Sequence, residues 1–315
     1  MNQVSHQFKD GFILTINTIK MKHIINNSLI VFVLLVVNML YAQQDPSYTL
    51  YQYNMNIINP AYAGINGYSE INLNYRSQWT NLDGSPRTQS LSFGTPMNDK
   101  MGLGLSIVND KVFVLKQTDV YIDYSYKIQV SDSTNLYLGL KAGGAFIDID
   151  LNSLGIMNDP VFSENVSRFN PNVGLGFYLK GKKYYLNLSA PSLLKSKRYE
   201  KDGVVVTNAT DELHLYAGIG YTFNVSQDVQ LTPSLLSRFV TGAPASVDLT
   251  ATTSFSDKMD IGLSYRISES VSVLGLFKLS NWIQFGYAYE MTTSEVKDYS
   301  KGSHEVLLRF KFLNQ

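Results

Sequence analysis

Cysteine is absent from the 315 residues of this chain. Its absence excludes disulfides, thiolate metal sites and cysteine nucleophiles together. Charge is scarce and balanced: 26 basic and 26 acidic side chains make up 17% of the residues, where a soluble domain carries roughly 25%. No net field of either sign is left to attract nucleic acid or an anionic surface. Long apolar runs are confined to one place near the N-terminus, and beyond residue 64 no convincing helical period appears. A helical membrane protein would be far more apolar than a mean hydropathy of −0.07. What the chain has in quantity is aromatic, with 21 Tyr and 16 Phe. Strands with one apolar face and one wet face, as in a membrane β-barrel, produce this mixture.

The apolar run has the layout of a secretory leader. Met21, Lys22 and His23 form a short basic region, residues 29–37 an apolar core, and Leu40-Tyr41-Ala42 a cleavage site. The core is too short for a comfortable spanning helix. Residues 21–42 are therefore read as a signal peptide, and 1–20 as an upstream extension with Met21 the natural start. The mature, exported chain is expected to begin at Gln43.

Residues 43–67 read neither as leader nor as strand. Aromatic and amide side chains interleave here, and Asn59-Pro60-Ala61-Tyr62-Ala63-Gly64 closes the stretch. Pro60 biases Asn59 away from helix and Gly64 permits a turn, so an ordered but irregular segment is expected.

From residue 68 onward, alternation with period two recurs, which is the strand signature. Val120, Ile122, Tyr124, Tyr126, Ile128 and Val130 share one face, opposite Asp119, Asp123, Ser125, Lys127 and Gln129. The same logic opposes Leu213, Leu215, Ala217, Ile219 and Tyr221 to His214 and Tyr216, and Val306, Leu308 and Phe310 to Glu305 and Arg309. Alternation alone also suits a soluble sandwich. Two details favour a barrel: charges fall mid-strand opposite continuous apolar faces, and Gly139, Gly143, Gly174, Gly176, Gly218, Gly220 and Gly262 lie mostly on the polar face. About fourteen segments of roughly 9–12 residues can be counted, the span of a tilted membrane strand. The predicted fold is all-β: a single transmembrane antiparallel β-barrel over 68–315, preceded by a periplasmic N-terminal segment, 43–67, beside or inside the periplasmic mouth. An even count puts both barrel ends on one side. Short turns at 181–182 and 256–257 are expected to alternate with longer links at 149–167 and 191–211.

Motifs for chemistry are thin. His214 and His304 are the histidines of the mature chain, and a barrel-wall hydrolase would need one of them beside a serine; both are read as solvated. Asp148, Asp150 and Asp159 could share a calcium ion, but no EF-type spacing supports it. Gly102-x-Gly104 and Gly174-x-Gly176 precede no helix and are strand glycines rather than phosphate loops. Lys195-x-Lys197-Arg198 is a short solvated basic run. No catalytic, cofactor-binding or metal residue is assigned.

The stretch from Gln43-Gln44-Asp45-Pro46 through Tyr51-x-Tyr53-Asn54 to Ile58-Asn59-Pro60-Ala61-Tyr62-Ala63-Gly64 resembles the start of the PorP/SprF family, outer-membrane proteins of the type IX secretion system in Bacteroidetes. Trp79 followed by Gly84-Ser85-Pro86-Arg87-Thr88 resembles that family's next block, then Gly102-Leu103-Gly104-Leu105, Tyr124-Ser125-Tyr126-Lys127, and finally Ser303-His304-Glu305-Val306. The chain departs from a terminal aromatic, since Leu313-Asn314-Gln315 follow Phe312. The resemblance implies a non-enzymatic outer-membrane component that assists secretion or surface anchoring of a large cognate adhesin, in gliding or attachment. Its implied partners are an adhesin bearing a type IX C-terminal signal, periplasmic and outer-membrane type IX components, and membrane lipid. Candidate partner-contact or lumen-filling residues are Tyr53, Asn54, Asn59, Pro60, Ala61, Tyr62, Gly64, Trp79, Gly84, Pro86 and Thr88, with Tyr48 and Tyr51 beside them. The alternative is a transport barrel for small or apolar solutes, plugged by its N-terminal segment.

Overall fold

The computed structural model describes residues 46–154, 165–194, 213–241 and 243–312. The leader, the upstream extension, Asp159, the basic run at Lys195–Arg198 and the residues after Phe312 lie outside them.

Fourteen antiparallel strands are formed among the described residues. They are β1 Ser69–Ser77, β2 Arg87–Pro96, β3 Met101–Val112, β4 Leu115–Ser131 and β5 Thr134–Ile149. Then come β6 Val166–Lys180, β7 Tyr184–Ala190, β8 His214–Tyr221 (continued by Phe223–Asn224), β9 Val229–Val240 and β10 Ser246–Phe255. The last four are β11 Met259–Arg266, β12 Ser270–Lys278, β13 Ile283–Thr292 and β14 Ser303–Phe312. Each strand pairs with the next in sequence, and β14 pairs back onto β1 from Ser69↔Phe312 to Ser77↔His304. The sheet is therefore closed and has no edge to protect, which is the form a sheet must take in lipid.

The expected phase is borne out. In β1, Glu70, Asn72, Asn74 and Arg76 are buried, while Leu73 and Tyr75 are exposed. Ile122, Leu140, Leu188, Ile219 and Leu263 are likewise exposed on their strands. A soluble protein would not show so many large apolar side chains on its surface. The inversion is what a lipid-facing wall requires.

Strand lengths depart from the expected 9–12. β7 has 7 residues, whereas β4, β5 and β6 have 17, 16 and 15. The mismatch leaves a notch in the wall, because β6 meets β7 only from Leu175↔Ala190 onward. Beyond that point, Asn172 takes the place of a ladder. Its Oδ1 accepts from the amides of Leu193 (3.0 Å) and Leu194 (2.9 Å), and its Nδ2 donates to the Leu194 carbonyl (3.0 Å).

Connections differ at the two ends of the barrel. At the end holding Ser69 and Phe312, the turns span 97–100, 132–133, 181–183, 225–228, 256–258 and 279–282. The opposite end carries the longer 78–86, 150–165, 191–213 and 293–302. Short turns mark the periplasmic side of such barrels and longer loops the outer side.

Candidate functional site in the barrel lumen

Residues 46–67 lie within the lumen. Three short 3-10 turns, Tyr51–Tyr53, Met55–Ile57 and Pro60–Tyr62, compact them. Tyr51, Met55, Ile58, Ala61 and Ile65 form a buried cluster with the inward Tyr137, Tyr178, Tyr216 and Leu236. The segment runs the depth of the barrel rather than stopping at the periplasmic mouth. Ser47 and Thr49 bond to residues near the outer ends of β1, β11, β13 and β14. Gly64 packs on Thr95 and Pro96 at the short-turn end.

Two walls hold the segment by different means. On β1, β13 and β14, Arg76 pairs with Glu290 (2.9 Å) and Glu305 (3.1 Å), and all three are buried. Glu305 also accepts from the backbone amides of Thr49 (2.7 Å) and Leu50 (3.3 Å) and from Asn74 Nδ2 (2.8 Å). Glu290 accepts from Thr49 Oγ1 and contacts Arg266, which is itself 2.7 Å from Asp248. Charges buried in this way persist only when paired and hydrogen-bonded, and here the partners come from both wall and segment. A separate ion pair, Arg309–Glu70 (2.9 Å), sits near the periplasmic end, with Asn66 donating to Glu70.

The other wall works by vacancy. A Cβ on Gly139 would collide with the Ala61 amide, one on Gly176 with the Asn59 side chain, and one on Gly102 with the Ala63 carbonyl. These inward glycines leave the space that the turn at 59–63 occupies. Beside them, Lys141 pairs with Asp123 (2.9 Å), whose carboxylate also accepts from Asn56 (3.3 Å) and Ser106 (3.2 Å).

The candidate residues divide between two places. Tyr53 donates to Asp260 (2.9 Å), and Asn54 accepts from Ser92 (2.6 Å). Asn59 caps its turn by accepting from the Ala61 amide (2.9 Å) and donates to the Phe177 carbonyl (3.1 Å). Pro60 opens that turn, and Ala61 is fully buried. Tyr62 lies edge-on to Tyr178 at 5.4 Å. Gly64 takes φ +70° where a side chain would strike Thr95.

The second group sits in the outer loop 78–86 and the start of β2. The Trp79 amide donates to Ser303 Oγ (3.2 Å), and the Gly84 carbonyl accepts from Phe113 (3.0 Å). The Pro86 carbonyl accepts from Gln78 (3.0 Å), and inward Thr88 donates to Asp110 (2.6 Å). These tie the corner to β14 and β3. His304 bonds Tyr287 (2.8 Å) on the outer wall, and Asp148 accepts from Ser167 (2.6 Å). Among the described residues, no cluster of carboxylates or histidines is arranged to hold a metal ion.

The sequence places Glu305 on a polar strand face but does not assign the lumenal ion network that it forms with Arg76, Glu290, Arg266 and Asp248. Their signal was a charge on the polar phase of an otherwise apolar strand.

A closed wall with an apolar exterior and a lumen occupied by the chain's own segment defines an outer-membrane β-barrel. The family described as type IX secretion system membrane protein PorP/SprF matches residues 40–310, and the chain belongs to that family. It is thus a component of a secretion system, located in the outer membrane. No curated protein sequence matches the chain. Among solved structures it is similar to the Acinetobacter baumannii outer membrane protein Omp33, at 8% identity and TM-score 0.49, over 78% of this chain and 98% of that one. It is also similar to a Pseudomonas aeruginosa FadL homologue, at 12% identity and TM-score 0.43, over 77% of this chain and 89% of that one. The Ralstonia pickettii toluene transporter TbuX matches at 9% identity and TM-score 0.49, over 81% of this chain and 92% of that one.

Proposed function

We propose that the barrel is a non-enzymatic docking component that assists secretion or surface anchoring of a cognate large adhesin. The observation that carries this reading is the clamped lumenal segment. With Thr49 and Leu50 held by buried Glu305, and the turn at 59–63 seated against glycines, the interior is taken up by the chain itself. A barrel filled in this way is suited to presenting surfaces rather than to passing a polypeptide. Two surfaces face in the required directions. The periplasmic mouth, where Gly64 and Ile65 meet the 97–100 turn, opens toward periplasmic type IX components. The outer loops open toward the adhesin.

The test is affinity purification of the tagged protein from outer membranes after mild crosslinking. Co-recovery of a large secreted protein with periplasmic type IX components is the expected result. Recovery of the barrel alone, together with conductance in planar bilayers, would overturn the reading in favour of a solute-transport barrel.

A further inference from the structure

The chain carries no net charge, so attraction to an anion has to come from a local arrangement of side chains. One such arrangement stands on the outside of the wall, at the loop-bearing ends of β2, β3 and β4. Thr88 and Asp110 bond each other on the lumenal face, and Gln117 lines the lumen. The strand pleat therefore turns their neighbours Arg87, Lys111 and Lys116 outward. All three are exposed, and they are direct cross-strand partners, Arg87↔Lys111 and Lys111↔Lys116.

Like charges placed directly opposite one another destabilise a sheet, and here two such pairs adjoin. Among the described residues, none of the three cations forms an ion pair. Asp148, opposite Lys116 on β5, accepts from Ser167 (2.6 Å), and Asp83 is exposed in the loop before β2. The Gly84 carbonyl accepts from Phe113 (3.0 Å), which ties that loop to the turn between Lys111 and Lys116. An anion lying across the row would relieve the repulsion.

The height of the row on the wall identifies the anion. Beneath the cations, Gln89, Asn109 and Thr118 form a neutral polar row, with Asn109 donating to Thr118 (2.6 Å). Beneath those, Leu91, Ile107 and Val120 form an apolar row. From Met101, at the short-turn end, β3 advances ten residues (111 − 101) to Lys111. At about 3.3 Å each and a tilt of about 40°, this is a height of about 25 Å, that of a barrel's apolar band. Side chains at that height meet lipid headgroups. The row is also one-sided: outward residues at the outer ends of the strands from β8 to β13 include Leu215, Phe239, Tyr265, Val271 and Met291, all exposed and uncharged.

We propose that Arg87, Lys111 and Lys116 form a binding site for the phosphate of an outer-leaflet lipid A headgroup. The guanidinium and the two ammonium groups share the phosphate oxygens, and Gln89 and Asn109 lie beneath them for the headgroup's sugar hydroxyls. This inference does not rest on the adhesin reading, and either can fail alone.

The experiment uses the full mature chain, folded in the neutral detergent octyl tetraoxyethylene. Bis-phosphorylated lipid A is titrated, and bound copies are counted by native mass spectrometry. Arg87→Gln, Lys111→Gln and Lys116→Gln are each expected to weaken binding about five-fold, the effect of one cation at an anionic lipid surface, and the triple variant about fifty-fold. A charge-matched triple at the short-turn end, Lys182→Gln, Lys183→Gln and Lys258→Gln, is expected to change it less than about two-fold. In detergent without lipid A, the outer triple variant is expected to be at least as stable to urea as the parent, because a repulsion has been removed; a structural role for the cations would lower that stability. Should the triple variant fail to fold, Lys111→Gln, the middle of the row, carries the test. Equal loss in both triples would overturn the site. So would equal affinity for dephosphorylated lipid A, or displacement of lipid A by millimolar inorganic phosphate, which would mark a free-anion site.

Discussion

The wall formed by β13, β14 and β1 and the wall formed by β3 to β6 grip the same segment in opposite ways. The first reaches inward with long charged side chains: Glu305 accepts from the backbone amides of Thr49 and Leu50, while Arg76 and Glu290 meet the Thr49 hydroxyl. The second withdraws its side chains at Gly102, Gly139 and Gly176, so that these positions admit the turn at 59–63. The ionic wall holds the segment by directional bonds whose loss leaves a buried charge. The glycine wall holds it by shape, where the danger is an added atom rather than a missing one. Deletion should therefore harm the first wall, and addition the second.

The largest effect is expected from Glu305→Ala. It leaves the buried Arg76 guanidinium sharing Glu290 with Arg266 and releases two amides, at a cost of about 3–5 kcal/mol. Urea titration of the folded barrel should show the loss, and chymotrypsin should gain access to the tyrosines of residues 46–67. Protection equal to that of the parent would mean that the ionic wall is not what holds the segment.

Removing one charge of each sign sharpens the same point. Arg76→Met combined with Glu305→Gln should cost clearly less than Glu305→Ala alone, because no unpaired ion of that pair remains. A double variant as unstable as the single one would show that the amide contacts, not the ion pair, dominate.

Gly139→Ala probes the other wall. The added methyl meets the Ala61 amide, so a destabilisation of about 1–3 kcal/mol is expected, with chymotrypsin sensitivity rising around Tyr62. Asn59→Ala should be milder, at about 1 kcal/mol, since it removes a cap and one bond to the Phe177 carbonyl. If Asn59→Ala proves more damaging than Gly139→Ala, the turn is held by its hydrogen bonds rather than by the fit of the cradle.

The barrel itself was legible because its signal is local. The alternations read at 119–130, 214–221 and 306–310 fall within β4, β8 and β14. His214 and Tyr216 lie on the inward face, as their phase requires. Strand length was less legible. The extra residues of β4 to β6 keep the same period-two pattern past the apolar band, so alternation continues without marking where lipid ends.

The candidate site was half legible. Asn59, Pro60 and Gly64 carry their conformation in their own chemistry: an amide cap, a fixed φ and a permitted positive φ. Trp79, Gly84, Pro86 and Thr88 share the family resemblance but stabilise an outer corner, and neither propensity nor spacing separates those two roles.

By itself, the sequence determined the alternating faces, the number of strands and the irregularity of residues 46–67, since each depends on residues adjacent in the chain. Only closure of the barrel decided that Arg76 meets Glu290 and Glu305, from which it is separated by 214 and 229 positions. Closure likewise decided that Gly139 faces Ala61 and that Tyr48 borders a cavity. The reason is physical. A strand's face is set by its own pleat, whereas what lies across a lumen is set by the register of every strand between.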